Sequence, residues 1–471
     1  MSAIETSVDA AKVLARLDRL PRRAVSYAAT GIAGLALFFV FYCNFNINVS
    51  FIQTCTQIQP GCTPGNAQSS LVLPTCLYLL GYFGGGLIFA PFSDRIGRKR
   101  SLAFALSFAC LGSLLAAVAT GYPLFVLARA ITGISMGAVL PVANTYIGEI
   151  APAAARAKYT AITFVLCTLG AMCGIGFGLL LTTEAAPFPE GLPFAFGVEA
   201  GWRWMYGLAA LIGVLALVST WRLPESPRWL IEHGRTAEAH EVVSSLERRV
   251  RGPLPEPAAS VPLPPQQAEH AYRELLSSKR YRRRVLLLVA MWFTGYATVF
   301  SYSTGSTVIL TSLHFTAPVA GMISAVGGVG FFVQGLFSAK WSERLDRRYW
   351  LPIGAVLTVL GGVLIATLGT SIGWAFAGSF LVFFGFNVWV PPTFALSAES
   401  FPTRIRSAGF GLVDGVGVLG GAMGVLVIAP LVPRLSPLPA LLMIAGFLVV
   451  SAILAQFTPH TRNRMLEDVS P

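Results

Sequence analysis

Twelve separate runs of about 20 predominantly apolar residues divide this chain, and no other feature narrows its folding options as far. A helix needs about 20 such residues to cross roughly 30 Å of hydrocarbon. The runs lie at 28–50, 70–92, 101–120, 123–148, 159–182, 203–221, 284–310, 317–338, 350–369, 373–396, 407–431 and 437–457. Several contain Gly and Pro, which membrane helices tolerate because neighbouring helices satisfy the freed backbone groups. A water-soluble globule would need about twice the charge: 12% of the 471 residues are charged and 54% are apolar, whereas a soluble domain is about 25% charged. The same hydrophobicity excludes disorder. The expected fold class is an all-α integral membrane protein with twelve transmembrane helices.

Lys and Arg set the orientation. With the N-terminus cytoplasmic, 31 of the 34 basic residues fall on cytoplasmic segments, and Arg129, Arg203 and Arg434 are the exceptions. That asymmetry is the positive-inside rule at work. The formal net charge of +12 is thus a topology signal, and no nucleic-acid partner is expected. The first 27 residues are polar and basic, and the first apolar run is long enough to remain as a span, so no cleaved signal is expected. The expected location is a cell membrane of the bacterial inner-membrane kind, with both termini cytoplasmic and the chain monomeric in the lipid bilayer.

Cys43, Cys76, Cys110, Cys167 and Cys173 lie in apolar runs and read as small core residues. Cys55 and Cys62 share one polar outer loop, where they are either unpaired or bridged, and a bridge would bear on that loop alone. No Cys/His spacing suits a metal, and no metal or other cofactor is expected.

The chain repeats itself. Ala90-Pro-Phe-Ser-Asp-Arg-Ile-Gly-Arg-Lys-Arg100 recurs as Ala339-Lys-Trp-Ser-Glu-Arg-Leu-Asp-Arg-Arg-Tyr349: at an offset of 249, Asp94 meets Glu343, Arg95 meets Arg344 and Arg98 meets Arg347. Glu149-x6-Arg156 recurs as Glu399-x6-Arg406 at an offset of 250. The repeated unit is six helices, an even number, so both copies start on the same side and are related by an axis along the membrane normal. The expected domains are a cytoplasmic segment 1–27, a six-helix bundle 28–221, a cytoplasmic loop 222–283 with a Pro-rich spacer, a second, pseudo-symmetric six-helix bundle 284–457, and a tail 458–471. Acids and arginines at the cytoplasmic helix ends can bridge the two bundles when the inner side is shut, as modest ionic locks that form in one state and break in the other.

These motifs resemble those of the major facilitator superfamily, although Ala90 stands where that family usually has Gly. Gly201-Trp-Arg-Trp-Met205, Pro224-Glu-Ser-Pro-Arg-Trp-Leu230 and Glu399-Ser-Phe-Pro-Thr-Arg-Ile-Arg406 are similar to the branch holding sugar porters, organic-ion transporters and aromatic-acid or niacin symporters. The resemblance covers nearly all of residues 28–457. It implies the major facilitator fold, secondary transport, and a cytoplasmic gate drawn from Asp94, Arg95, Arg98, Glu149, Arg156, Glu225, Arg228, Glu343, Arg344, Arg347, Glu399 and Arg406. There are departures. Sugar porters usually carry a Gln-Gln-Leu run in span 7, which here reads Trp292-Phe-Thr-Gly-Tyr296, and a Gln in span 5, which here has none. The Gly170–Gly178 run lacks the proline of drug antiporters. Span 1 has no carboxylate where aromatic-acid symporters have aspartates, and Val418 occupies the position that is charged in organic-ion carriers.

Asp414 lies within an apolar, Gly-rich run, and a carboxylate at membrane depth is a functional candidate by default. It can bind a cationic group or carry a coupling proton. Arg129 is the only basic residue of the fourth run and needs a partner: backbone carbonyls, a carboxylate or the substrate. Asn44 and Asn48 with Phe41 and Phe45 in span 1, Trp292 and Tyr296 in span 7, and Asn387 and Trp389 in span 10 form polar and aromatic faces suited to a ring with hydrogen-bonding edges. The resemblance places these helices around the cavity.

The expectation is a secondary transporter, not an enzyme, that moves a small organic solute by alternating access. The solute is of the aromatic-acid, niacin or organic-cation kind, with protons as the coupling ion at Asp414. A sugar or polyol porter is the alternative, and a non-transporting membrane receptor with the same fold is the alternative of another class.

Overall fold

The computed structural model describes residues 3–21, 27–151, 156–250, 253–256, 271–341, 344–402 and 405–459, and among them no strand occurs. Helix α1 (Ala3–Asp18) precedes the first span. The first half comprises α2 (Tyr27–Phe45), α3 (Ile47–Ile58), α4 (Ala67–Ile96), α5 (Arg98–Ala117), α6 (Tyr122–Ile150), α7 (Arg156–Thr182) and α8 (Gly201–Ser219). Three short helices, α9 (Pro227–Glu232), α10 (Thr236–Glu247) and α11 (Ala271–Ser277), lie in the connecting loop. The second half holds α12 (Lys279–Ser312), α13 (Ala317–Trp341), α14 (Arg347–Leu368), α15 (Ile372–Glu399), α16 (Arg406–Gly417), α17 (Leu419–Leu431) and α18 (Pro437–Ala455).

Eleven helices are long and apolar enough to cross a membrane, and α2 with α3, taken as one span bent by 48°, makes the twelfth. That first span runs on to Ile58 rather than stopping near residue 50. The reading from hydropathy ended early because α3 carries Asn48, Ser50, Gln53, Thr54, Thr56 and Gln57. Several of these face neighbouring helices instead of lipid: Gln53 accepts from the Trp202 backbone N–H (3.1 Å) and Gln57 from the Trp202 indole (2.7 Å), which ties α3 to the Gly-Trp-Arg-Trp start of α8. A disulfide joins Cys55 and Cys62 and closes the loop that follows.

Within the first half, α4 and α6 touch through their backbones. A Cβ on Gly133 would fall 1.9 Å from the Tyr78 carbonyl oxygen, and one on Gly137 would fall 2.0 Å from that of Tyr82. Such contacts are how membrane helices gain close packing without a hydrophobic drive. Gly133→Val is therefore expected to destabilise the chain by about 3 kcal/mol, read as a lower thermal midpoint in detergent. Gly84→Ala, which meets nothing within 4 Å, should leave the midpoint unchanged.

The halves meet along three seams. Helix α7 packs on α13, α4 packs on α16 and α17, and α3 packs on α12. Six spans separate the second span from the eighth and the fifth from the eleventh, so the first two seams are one contact repeated by the internal symmetry. Pro141 inside α6 and Pro391 inside α15 mark the same repeat, 250 residues apart.

At the charged end, α1 docks on α9 and α10. Arg16 and Arg19 both pair with Glu247, the latter at 2.7 Å, and Arg228 pairs with Asp18 at 2.8 Å. The hydrogen bond from Arg16, then that from Arg19, holds the Glu247 carboxyl below the usual carboxylate range. Val13, Leu14 and Leu17 are buried by the same docking.

Candidate functional site

Asp414 sits where α16 meets α4 and α12, and its side chain is buried. The Tyr296 hydroxyl of the second half donates to its Oδ1 at 2.7 Å, and the Tyr82 hydroxyl of the first half donates to its Oδ2 at 3.1 Å. Glycine brings these elements together: a Cβ on Gly417 would fall 2.5 Å from Trp292 Cβ, and one on Gly420 would fall 1.9 Å from the Phe293 carbonyl oxygen. Helical side chains lean toward the N-terminus, so Tyr296 reaches back past Trp292 to the level of Asp414. The carboxylate thus receives one tyrosine hydroxyl from each half. Any motion that separates the halves here must break the bond to Tyr82.

Asn48 forms a second cross-half contact, at the end of the bundle remote from the charged loops. Its Nδ2 donates to the carbonyl oxygens of Tyr302 and Ser303, both at 3.0 Å. Its Oδ1 accepts from Ser306 at 3.1 Å and Thr307 at 2.8 Å. The amide is fully used, so Asn48 acts in this conformation as a clasp between α3 and α12. Asn48→Ala removes these bonds and a fifth, from the Thr307 backbone N–H to Oδ1 (3.4 Å), and is expected to shift the equilibrium toward separation of this end about tenfold. Spin labels on Thr56→Cys and Thr311→Cys should report the shift as a larger long-distance population.

Beside the clasp lies a cavity of about 370 Å³, lined by Gln53, Thr56, Gln57, Thr182, Thr183, Glu184 and Glu199 of the first half and by Thr307 and Ala317 of the second. Its size falls within the usual range for small-molecule sites.

An aromatic cluster occupies the seam nearer the middle. Phe45 lies 5.0 Å from Phe331 across the halves, Phe331 lies 5.7 Å from Phe386, and Phe386 stacks on Tyr302 at 6.2 Å. Asn387 donates to the Phe331 carbonyl at 3.0 Å, and its Oδ1 is buried without a partner, as are Asn44 Oδ1 and the Tyr302 hydroxyl. The tryptophans singled out by sequence are placed differently. Trp292 donates to Ser397 at 2.7 Å and Trp389 to Ser451 at 2.9 Å, and both rings are fully buried within the second half. Trp292 packs on Trp389, Phe394 and Phe410 and supports Tyr296 from behind.

The charged motifs keep their repeat symmetry in space. Arg98 pairs with Glu149 at 2.9 Å and with Asp94 at 2.5 Å, and its repeat partner Arg347 pairs with Glu399 at 3.5 Å. In this conformation these pairs join elements of one half, whereas bridges between the halves are expected when the inner side is shut. The reason is local: Arg98 opens α5 immediately after the turn at Gly97 and so faces the end of α6. Gly97 has φ +99°, and a Cβ there would fall 2.3 Å from Glu225 Oε2. Glu225 accepts from the backbone N–H groups of Arg98 (3.0 Å) and Lys99 (3.2 Å). Arg95 is exposed. Glu343 and the side chains of Arg156 and Arg406 lie outside the described residues.

Arg129, in α6, is buried. Its Nη1 donates to the Cys43 carbonyl at 2.8 Å, and its guanidinium lies 4.4 Å from the Tyr78 ring centroid.

Tyr82, Tyr302, Ser306 and Thr307 were missed by sequence reasoning. Hydroxyl residues in an apolar run carry no signal of their own until the partner across the seam is known.

Comparison with known proteins points the same way as the geometry. The family model described as sugar (and other) transporter matches residues 24–471. A putative metabolite transport protein, YyaJ of Bacillus subtilis, is 27% identical, with 96% of each chain covered. The niacin transporter NiaP of Acinetobacter baylyi is 26% identical over 97% of this chain and 99% of its own. Among solved structures, the proton:xylose symporter XylE of E. coli superposes with a TM-score of 0.70 at 19% identity, covering 94% of this chain and 98% of that one. At that identity the likeness speaks for the fold alone.

Proposed function

This chain belongs to the sugar (and other) transporter family of the major facilitator superfamily, and from that premise we propose that it moves a ring-shaped organic ion by alternating access, with a proton bound and released at Asp414. The observation that carries this reading is the buried carboxylate bonded by Tyr82 of one half and Tyr296 of the other. A charge at membrane depth is tolerated where it has partners or a task, and this one is wired to the surface that must move. The aromatic cluster of Phe45, Phe331, Phe386 and Tyr302, with the unpartnered Asn44 and Asn387 oxygens nearby in sequence, supports a flat solute with hydrogen-bonding edges. The similarity to a niacin transporter supports the same class. Under this reading the termini face the cytoplasm, as the placement of Lys and Arg implies, and the two six-helix bundles are the moving bodies.

A sugar or polyol is the second reading, favoured by the amides and hydroxyls of Gln53, Gln57, Thr56 and Thr307 among the groups lining the cavity beside the clasp and by the match to the family model described as sugar (and other) transporter. Counterflow in proteoliposomes separates the two. The proposal expects saturable exchange of labelled nicotinate-type acids or aromatic amines that a hundredfold excess of hexose leaves intact. Displacement by hexose would favour the second reading, and binding without counterflow would contradict transport altogether.

A further inference from the structure

Among the described residues, Arg129 has only part of its hydrogen-bonding capacity answered. Its Nε and Nη2 are buried and, among the described residues, have neither a hydrogen-bond partner nor a paired carboxylate. Arg129 Nη1 donates to the Cys43 carbonyl and its guanidinium lies over the face of Tyr78, and both are neutral groups. Around it lie unpartnered hydroxyl and amide groups that can donate to an anion, beside the amide oxygens of Asn44 and Asn46. The Tyr78 hydroxyl is buried with no partner. Tyr206 packs on Phe125, one helical turn before Arg129 on the same face of α6, and so brings a second hydroxyl to this region. Asn46, one turn beyond Cys43 at the bend of the first span, is fully buried with both amide atoms unpartnered. A guanidinium never deprotonates in practice, and an uncompensated cation at membrane depth is costly. A cluster of N–H and O–H donors around a fixed positive charge is the chemistry of an anion site.

We propose that Arg129, together with Tyr78 and Tyr206, binds a small inorganic anion of the halide class in the first half, at the bend between α2 and α3. The anion neutralises Arg129 and leaves Nη1 free to cap the carbonyl end of α2, where a positive group is favourable. This site lies in the first half, one helical turn along α4 from Tyr82, and does not depend on which solute is carried.

The test is the thermal midpoint of the purified full chain, titrated with sodium chloride or bromide against sodium gluconate at constant ionic strength. A ligand that binds only the folded state raises the midpoint saturably, and the expected rise is roughly 2–4 °C for the halides with none for gluconate. Asn46→Asp places a fixed carboxylate at the level of the bend and should make the chain indifferent to halide. Tyr206→Phe should weaken the halide midpoint concentration at least threefold. Arg129→Gln should abolish the response, and if that variant does not fold the other two decide. Equal responses to chloride and gluconate, or a halide response unchanged in both Asn46→Asp and Tyr206→Phe, would overturn the proposal. A response to nicotinate or acetate without one to halide would assign the anion to a carboxylate solute and would overturn it as well.

Discussion

Asp414→Asn is expected to abolish uphill accumulation while sparing exchange. One pH unit across the membrane corresponds to 1.36 kcal/mol, a tenfold concentration ratio for one proton per solute. Wild-type proteoliposomes with an inward gradient of that size should approach tenfold accumulation, and the variant should reach a ratio of about one. The physical reason is that Asn still accepts from Tyr296 but cannot take up or release a proton. Counterflow needs only the conformational change with solute bound, and should stay within about threefold of wild type. Tyr82→Phe is the companion: it removes the cross-half bond at 3.1 Å and leaves the carboxyl in place. It should keep coupling and alter the balance between the two conformations. Full accumulation by the Asn variant would show that the proton binds elsewhere.

Removing Arg98 should destabilise the chain strongly. Its side chain is 3% exposed, and it answers both Asp94 and Glu149. Burial, with Glu149 next in importance, pushes the nearby Glu232 carboxyl above its ordinary range, and Arg98 partly offsets this. Arg98→Ala would leave three carboxyl groups facing one another without their cation. Breaking a buried pair by removing one partner costs about 3–5 kcal/mol, and the partial exposure of the acids places the expected loss near the lower end. The sign of the pH effect follows. A carboxyl whose folded pKa lies above its unfolded value favours the folded state when protonated, so the penalty should grow as pH rises through that range and shrink as pH falls. Thermal midpoints at pH 7.5 and 5.5 should therefore lie closer to wild type at the lower pH. Arg347→Ala at the repeat-related pair, longer at 3.5 Å and with both side chains a fifth to a quarter exposed, should cost less than about 1 kcal/mol. Equal losses at the two positions would contradict this account of the asymmetry.

Much of the fold was legible because lipid imposes a single rule on each span. Length and apolarity placed the helices, and the recurrence of Arg98 with Glu149 as Arg347 with Glu399 announced the duplication that the paired contacts then repeat in space. The rule fails where a helix faces other helices. Polar residues of α3 ended the first span too early in the reading, although they are satisfied by Trp202 and by α12. Helix α1 was read only as a basic segment, because its buried leucines serve a docking surface that does not exist until α9 and α10 are in place. Asp414 stood out because a lone carboxylate in an apolar run is costly wherever it points. Tyr82 did not, since a tyrosine is at home in a membrane helix with or without a partner. The tryptophans Trp292 and Trp389 carried the right composition for a binding face, but the pattern could not tell inward packing from lining.

During transport the two halves are expected to pivot about the seam containing Asp414, so that closing one end opens the other. Distances between spin labels measure this most directly, with one pair at the clasped end (Thr56→Cys and Thr311→Cys) and one at the charged end (Arg95→Cys and Arg344→Cys), each in lipid over a range of pH and solute. Opposite changes are expected: conditions that lengthen the first distance shorten the second. Two distances that stay fixed, or that lengthen together, would contradict it.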